Sequence, residues 1–136
     1  GIGKAMMPVP GDVGLGMIDV RDTADAAAGI LTTEGHAGQV YELSGPNVTP
    51  AEAIAAIGAA IGKDVAFVQV PMEGAIGAMK ERGMPDWLID HQSTLMGIAA
   101  DGDMASYGNN LIETLAGHAP RTAADFARDH AGAFTG

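Results

Sequence analysis

The sequence predicts a single α/β domain, residues 1–136, with a parallel strand pair inside it and a largely helical second half. Three observations carry that prediction. Residues 39–43 (QVYEL) form a strand candidate, residues 49–62 a helix candidate and residues 65–70 (VAFVQV) a second strand candidate. A strand, helix, strand order with a full crossover gives a parallel pair of right-handed connection. At 136 residues, 47% of them hydrophobic and 18% charged, the chain has the size and composition of one globular core.

Taken in order, the first apolar run is residues 15–20 (LGMIDV), a strand candidate behind a loop holding Pro8, Pro10, Gly11 and Gly14. Asp22 stands at an N-cap position ahead of Ala24, Ala27, Ala28 and Leu31 at helical spacing, and Gly35 and Gly38 close that helix. Thr49, Pro50 and Glu52 make a capping box with proline at the first helical position. Ile54, Ile57 and Ile61 then form one apolar stripe, until Gly62 ends the helix. Residues 65–70 are apolar on both faces, as in a strand covered on both sides. Beyond them, residues 72–82 form a helix stopped by Gly83, and Pro85 opens the next. Asn109 or Asn110 caps a short helix with Leu111, Ile112 and Leu115. Thr122 caps a last one carrying Phe126, His130 and Phe134.

Charge and composition narrow the function. Seventeen acidic residues against 7 Lys and Arg leave a net charge of −10, which repels phosphate backbones and anionic lipid. Neither nucleic acid nor a membrane is expected as a partner. The most apolar run, residues 54–62, is far shorter than the roughly 20 residues of a spanning helix. The absence of cysteine removes disulfides, thiolate metal sites and redox thiols, and fits a cytoplasmic protein. An opening of Gly1-Ile2-Gly3-Lys4 without Met suggests a processed product or a piece of something longer.

Motifs for catalysis are sparse. Gly11, Gly14 and Gly16 follow prolines and lead into a strand-like run, whereas a dinucleotide loop leaves a strand and opens a helix. No phosphate-loop motif occurs, and none of Ser44, Ser93 and Ser106 lies in G-x-S-x-G. Asp90, His91 and Ser93 share one helix and point in different directions. Gly45 and Leu111 stand four residues after Tyr41 and Tyr107, where a reductase Tyr-x-x-x-Lys motif needs lysine. The four histidines are scattered, and Asp101-Gly102-Asp103 ends a helix rather than holding calcium, so no metal site is expected. Met84 and Trp87 sit at a helix–helix joint, as core or as the wall of an apolar pocket, with core the default. Asp19, Arg21 and Asp22 follow the first strand candidate, a position where open α/β sheets place ligands and where ion pairing and capping serve equally.

Several segments together resemble a known family. The run from Met17 to Ala27 (MIDVRDTADAA), the turn and strand Gly35 to Pro46 (GHAGQVYELSGP), the joint Gly83-Met84-Pro85 and the close Gly117 to Thr122 (GHAPRT) look like NmrA-like, atypical short-chain dehydrogenase/reductases. The resemblance covers nearly the whole chain in the family's order, but only the carboxy-terminal half of such proteins. It implies the last part of a Rossmann-type parallel sheet plus a small helical substrate lobe. It implies NADP or NAD as cofactor of the intact parent, with none expected for this chain alone, because nothing here aligns with the family's upstream glycine-rich loop. No catalytic and no cofactor-binding residue is therefore carried over. Substrate contacts are expected at Pro8, Asp19, Arg21, Met84 and Trp87, with a small electrophile such as a quinone as substrate. A non-enzymatic sensor module is the alternative, and a small hydrolase using His91 or His118 a weaker one. Without an amino-terminal Rossmann half, the exposed strand edge is expected to drive self-association.

Overall fold

The computed structural model describes residues 3–106 and 108–135. Gly1 and Ile2 of the opening, and Tyr107, weighed above against the reductase motif, lie outside the described residues. Ten elements follow one another: β1 (Lys4–Met7), β2 (Leu15–Gly16), α1 (Val20–Thr32), β3 (Asn47–Val48), α2 (Pro50–Ile61), β4 (Ala66–Gln69), α3 (Met72–Glu81), α4 (Asp86–Ala100), α5 (Leu111–Ala116) and α6 (Ala123–Asp129). A 3-10 turn, Ala131–Phe134, follows α6.

The sheet is smaller than the sequence suggests, and paired differently. β4 lies within the expected strand 65–70, but its parallel neighbour is β1, in register Lys4 with Ala66 through Met7 with Gln69. Residues 39–43 form no strand. They alternate as a strand should, yet Val40 is 95% exposed, and a strand exists only by virtue of a hydrogen-bonded neighbour. Nor is β4 covered on both sides: Phe67 and Val68 are half-buried, and Ala66 and Gln69 are exposed. The expected strand 15–20 reduces to β2, two residues antiparallel to β3. It stops because the carboxylate of Asp19, not Asp22, accepts the Arg21 N–H at 2.9 Å and starts α1 one turn earlier.

Helix ends follow local chemistry closely. Thr49 and Glu52 form the reciprocal capping box with Pro50 in the first turn of α2, and Gly62 ends that helix in the left-handed conformation at φ 66°. Thr122 and Asp125 make the same box on α6. That last helix stops at Asp129, short of the stripe through Phe134, and tightens into the 3-10 turn. Asp101 closes α4, followed by Gly102 at φ 84°.

Two layers build the core. α1 packs on α5, and α2 packs on α6 and beneath β4. Val9, Ala26, Ile112 and Ala127 are essentially solvent-free. The α1–α5 approach depends on Gly29, where a Cβ would stand 1.9 Å from the Leu115 carbonyl oxygen. Helices α3 and α4 pack on each other and make few contacts elsewhere, so they project as a hairpin. Trp87 on that hairpin is 69% exposed, against the reading of it as core. It stands at the start of α4, where no other element arrives to cover it. Among the described residues no helix is long and apolar enough to cross a membrane.

These glycines differ sharply in what they tolerate. Gly29→Ala forces backbone against backbone and should cost about 2 kcal/mol or more of unfolding free energy. Gly97→Ala, inside α4 with nothing within 4 Å of the new methyl, should stabilise by about 1 kcal/mol through helix propensity. Urea denaturation of the two variants beside the parent checks both signs.

A candidate acceptor cleft held by an acidic–arginine clamp

A cleft of about 390 Å³ opens between α2, α6 and the segments 17–19 and 46–48. Its walls are mainly apolar: Met17, Ile18, Val48, Ile57 and Phe126 are among them. Gly45 lets the two segments meet, because a Cβ there would lie 1.7 Å from the Met17 carbonyl oxygen. Phe126, 40% exposed, presents one face to this region and stacks at a tilt on His130, centroids 4.6 Å apart. Three polar side chains join the lining, Asp19, Arg121 and Thr122.

One end of the cleft is fixed by ion pairs that join α1 to the end of the chain. Asp22 is completely buried; its carboxylate accepts the Arg121 backbone N–H at 2.7 Å and a short bond from the Arg121 guanidinium. The same guanidinium nitrogen donates to Asp25 at 3.0 Å, which also accepts from His118 at 3.1 Å. A second bridge runs from Arg21, which grips Asp19 with two side-chain bonds of 2.9 and 2.7 Å and reaches Asp129 at 2.8 Å. The Arg21 fork holds the Asp19 carboxyl down at about 2. His118 places one ring nitrogen on the Ala119 carbonyl at 2.8 Å and the other on Asp25. Both partners are acceptors, so both nitrogens are best served carrying hydrogen; the Ala119 carbonyl, then Asp25, raises the His118 pKa. Asp22, Asp25 and His118 are spaced to hold a cation, but the Arg121 guanidinium already lies between the two carboxylates.

The structure separates the residues that sequence reasoning grouped. Asp19 lines the cleft. Arg21 serves the bridge between α1 and α6. Pro8 is buried beside Val9, away from the cleft lining. Met84 and Trp87 sit on the α3–α4 hairpin, whose own groove is broad and polar, with Lys80, Asp86 and Asp90 along it. His91 lies on α4 and His118 has both nitrogens engaged within the clamp. Arg121 and Phe126, which sequence reasoning did not single out as site residues, complete the cleft. Asp22 and Asp25 one turn apart on α1, with a lone arginine just before a capping box, were the available signal.

The clamp sets the pH dependence of stability. Asp19 falls from its ordinary 3.8 to about 2 on folding, so its contribution is present above pH 3.8 and is lost as pH falls toward 2. His118 rises above 6.5, so its contribution is complete below pH 6.5 and is lost as pH climbs through the raised value. Chemical denaturation across pH should peak between these limits. Asp19→Asn should make the acid limb shallower, the remainder being carried by Asp25, Glu52, Asp125 and Asp129, and His118→Asn should flatten mainly the alkaline limb. Asp22→Ala, which breaks a buried pair, should cost about 3 kcal/mol at pH 6.

No family model matches the chain. It is similar to the NAD(P)H azoreductase of Xenophilus azovorans, 37% identical over 133 residues, 97% of this chain and 46% of that protein. It is 31% identical over 111 residues to quinone oxidoreductase 2 of Escherichia coli, 76% of this chain and 36% of that protein. The solved NADPH complex of the Escherichia coli NADPH-dependent quinone oxidoreductase superposes with a TM-score of 0.79 at 27% identity, over 93% of this chain and 44% of that one. The NADP(H) complex of Citrobacter triphenylmethane reductase, at 20% identity, shares the fold with a TM-score of 0.80. The chain spans less than half the length of these relatives, matching part of a Rossmann-type α/β arrangement with its helical lobe. The chain is thus similar to one part of Rossmann-type, NAD(P)H-dependent reductases.

Proposed function

We propose that this chain forms the acceptor-holding lobe of an NAD(P)H-dependent oxidoreductase, and that the cleft takes a small, mostly apolar electrophile such as a quinone. One observation carries the reading: an apolar cleft, with its polar groups gathered at one clamped end, lies in a chain that matches an azoreductase along 97% of its length. Mainly apolar walls with a few placed polar groups are what small-molecule sites are made of. Ile57, Val48 and Phe126 would cover the acceptor's faces and exclude water, and the clamp would keep their spacing constant.

The residues present do not fit the pyrophosphate of a nicotinamide dinucleotide. That group needs a strand opening through glycines into a helix whose first N–H groups are free. β1 leads instead into a loop and β2. β4 does lead into α3, but through Pro71, with Glu73 in the first turn and no side-chain cap, which sets a negative charge where phosphate would sit. No chemical step is therefore assigned to the cofactor on these residues.

Titrating the chain with 1,4-naphthoquinone while following methyl resonances tests the proposal. Saturable shifts are expected at Ala53, Ile57 and Ala123, with Met84 unmoved. Ala53→Trp, which fills the cleft, should weaken binding at least tenfold. Shifts confined to Met84 and the Trp87 ring would transfer the acceptor site to the α3–α4 hairpin and defeat the assignment.

A further inference from the structure

We infer that Arg121 anchors the acceptor, donating hydrogen bonds from Nε and Nη2 to an oxygen of a neutral apolar ligand in the cleft. The inference rests on the cleft being the acceptor site, and it adds which group recognises what.

It follows from counting the hydrogen-bonding capacity of the cleft's polar side chains. Asp19 has little left to offer a ligand: its side chain is 4% exposed, one oxygen accepts from the Arg21 backbone N–H and Nε, both at 2.9 Å, and the other from Nη2 at 2.7 Å. Thr122 uses its hydroxyl within the α6 cap, donating to the Asp125 carboxylate at 2.7 Å and accepting the Asp125 N–H at 3.1 Å. Arg121 differs. Its backbone N–H and Nη1 serve Asp22 and Asp25. A guanidinium carries five N–H donors, and Nη1 accounts for two. The donors on Nε and Nη2 meet no acceptor among the described residues, and neither nitrogen is among the buried atoms left without a partner, so both reach open space.

The side chains of the cleft therefore offer more free donor than acceptor capacity. A ligand that suits it has an apolar body and an acceptor oxygen. Charge argues the same way. Two carboxylates already face the single Arg121 cation, so the guanidinium is compensated and an anionic ligand is not called for. A carbonyl oxygen is enough. The clamp fixes the guanidinium through Nη1, which removes the entropy cost of ordering it when the ligand arrives.

Naphthalene and 1,4-naphthoquinone share a ring system and differ in the acceptor oxygens, so their affinities for the full chain isolate the anchor. By calorimetry the quinone should bind roughly tenfold more tightly, the fold-change of one charge-assisted hydrogen bond. Arg121→Met should bring the two affinities together. Should that variant fail to fold because Asp22 is left buried and unpaired, the infrared carbonyl stretch of the quinone on the native chain decides. A stretch lowered relative to the quinone in hexane supports the anchor. Equal affinities, an unshifted stretch, or a preference that survives Arg121→Met would overturn the role of Arg121 and leave the cleft standing. Failure of both compounds to bind would instead defeat the cleft as acceptor site.

Discussion

Everything that positions the cleft depends on a carboxylate with no access to water. Asp22, buried at the start of α1, is tolerable there only because Arg121 supplies both a backbone N–H and a guanidinium. The pair joins residues 99 positions apart and fixes where α6 begins. From that point the α6 capping box sets the helix direction, Phe126 reaches the cleft, and α6 lies along α2. The outer bridge from Asp19 through Arg21 to Asp129 repeats the attachment at the other end of α6. The cleft wall is thus pinned at both ends by charge and packed between them against α2.

How much of this the sequence discloses depends on the range of the interaction. The capping boxes of Thr49 and Thr122 and the stops at Gly62 and Gly83 are written within a few residues, and the structure has them where the letters put them. Asp19 and Asp22 are both competent caps for α1. Which one acts is decided by Arg21 folding back onto Asp19 and by Arg121 claiming Asp22 from the far end of the chain. Residues 39–43 have a strand's alternation, but alternation does not supply a hydrogen-bonded neighbour. β1, for which the sequence gives no strand signal, acquires its identity only from β4.

The site shows the same divide. Asp19 could be placed from its position after an apolar run, and it does line the cleft. Arg21 looked like a ligand group for the same reason, yet its cation is consumed by two carboxylates. The role of Arg121 comes from Asp22 and Asp25 on a distant helix, so the sequence offers only their spacing and its place before a capping box as a signal. Trp87, conspicuous as the sole tryptophan, stands 69% exposed on the hairpin, outside the cleft lining.

The α3–α4 hairpin touches the remainder of the molecule sparingly and finds most of its packing within itself. A substitution there is felt by the partner helix and hardly at all by the clamp or the cleft floor. Such a part can exchange its outward residues over generations while the scaffold beneath keeps its shape.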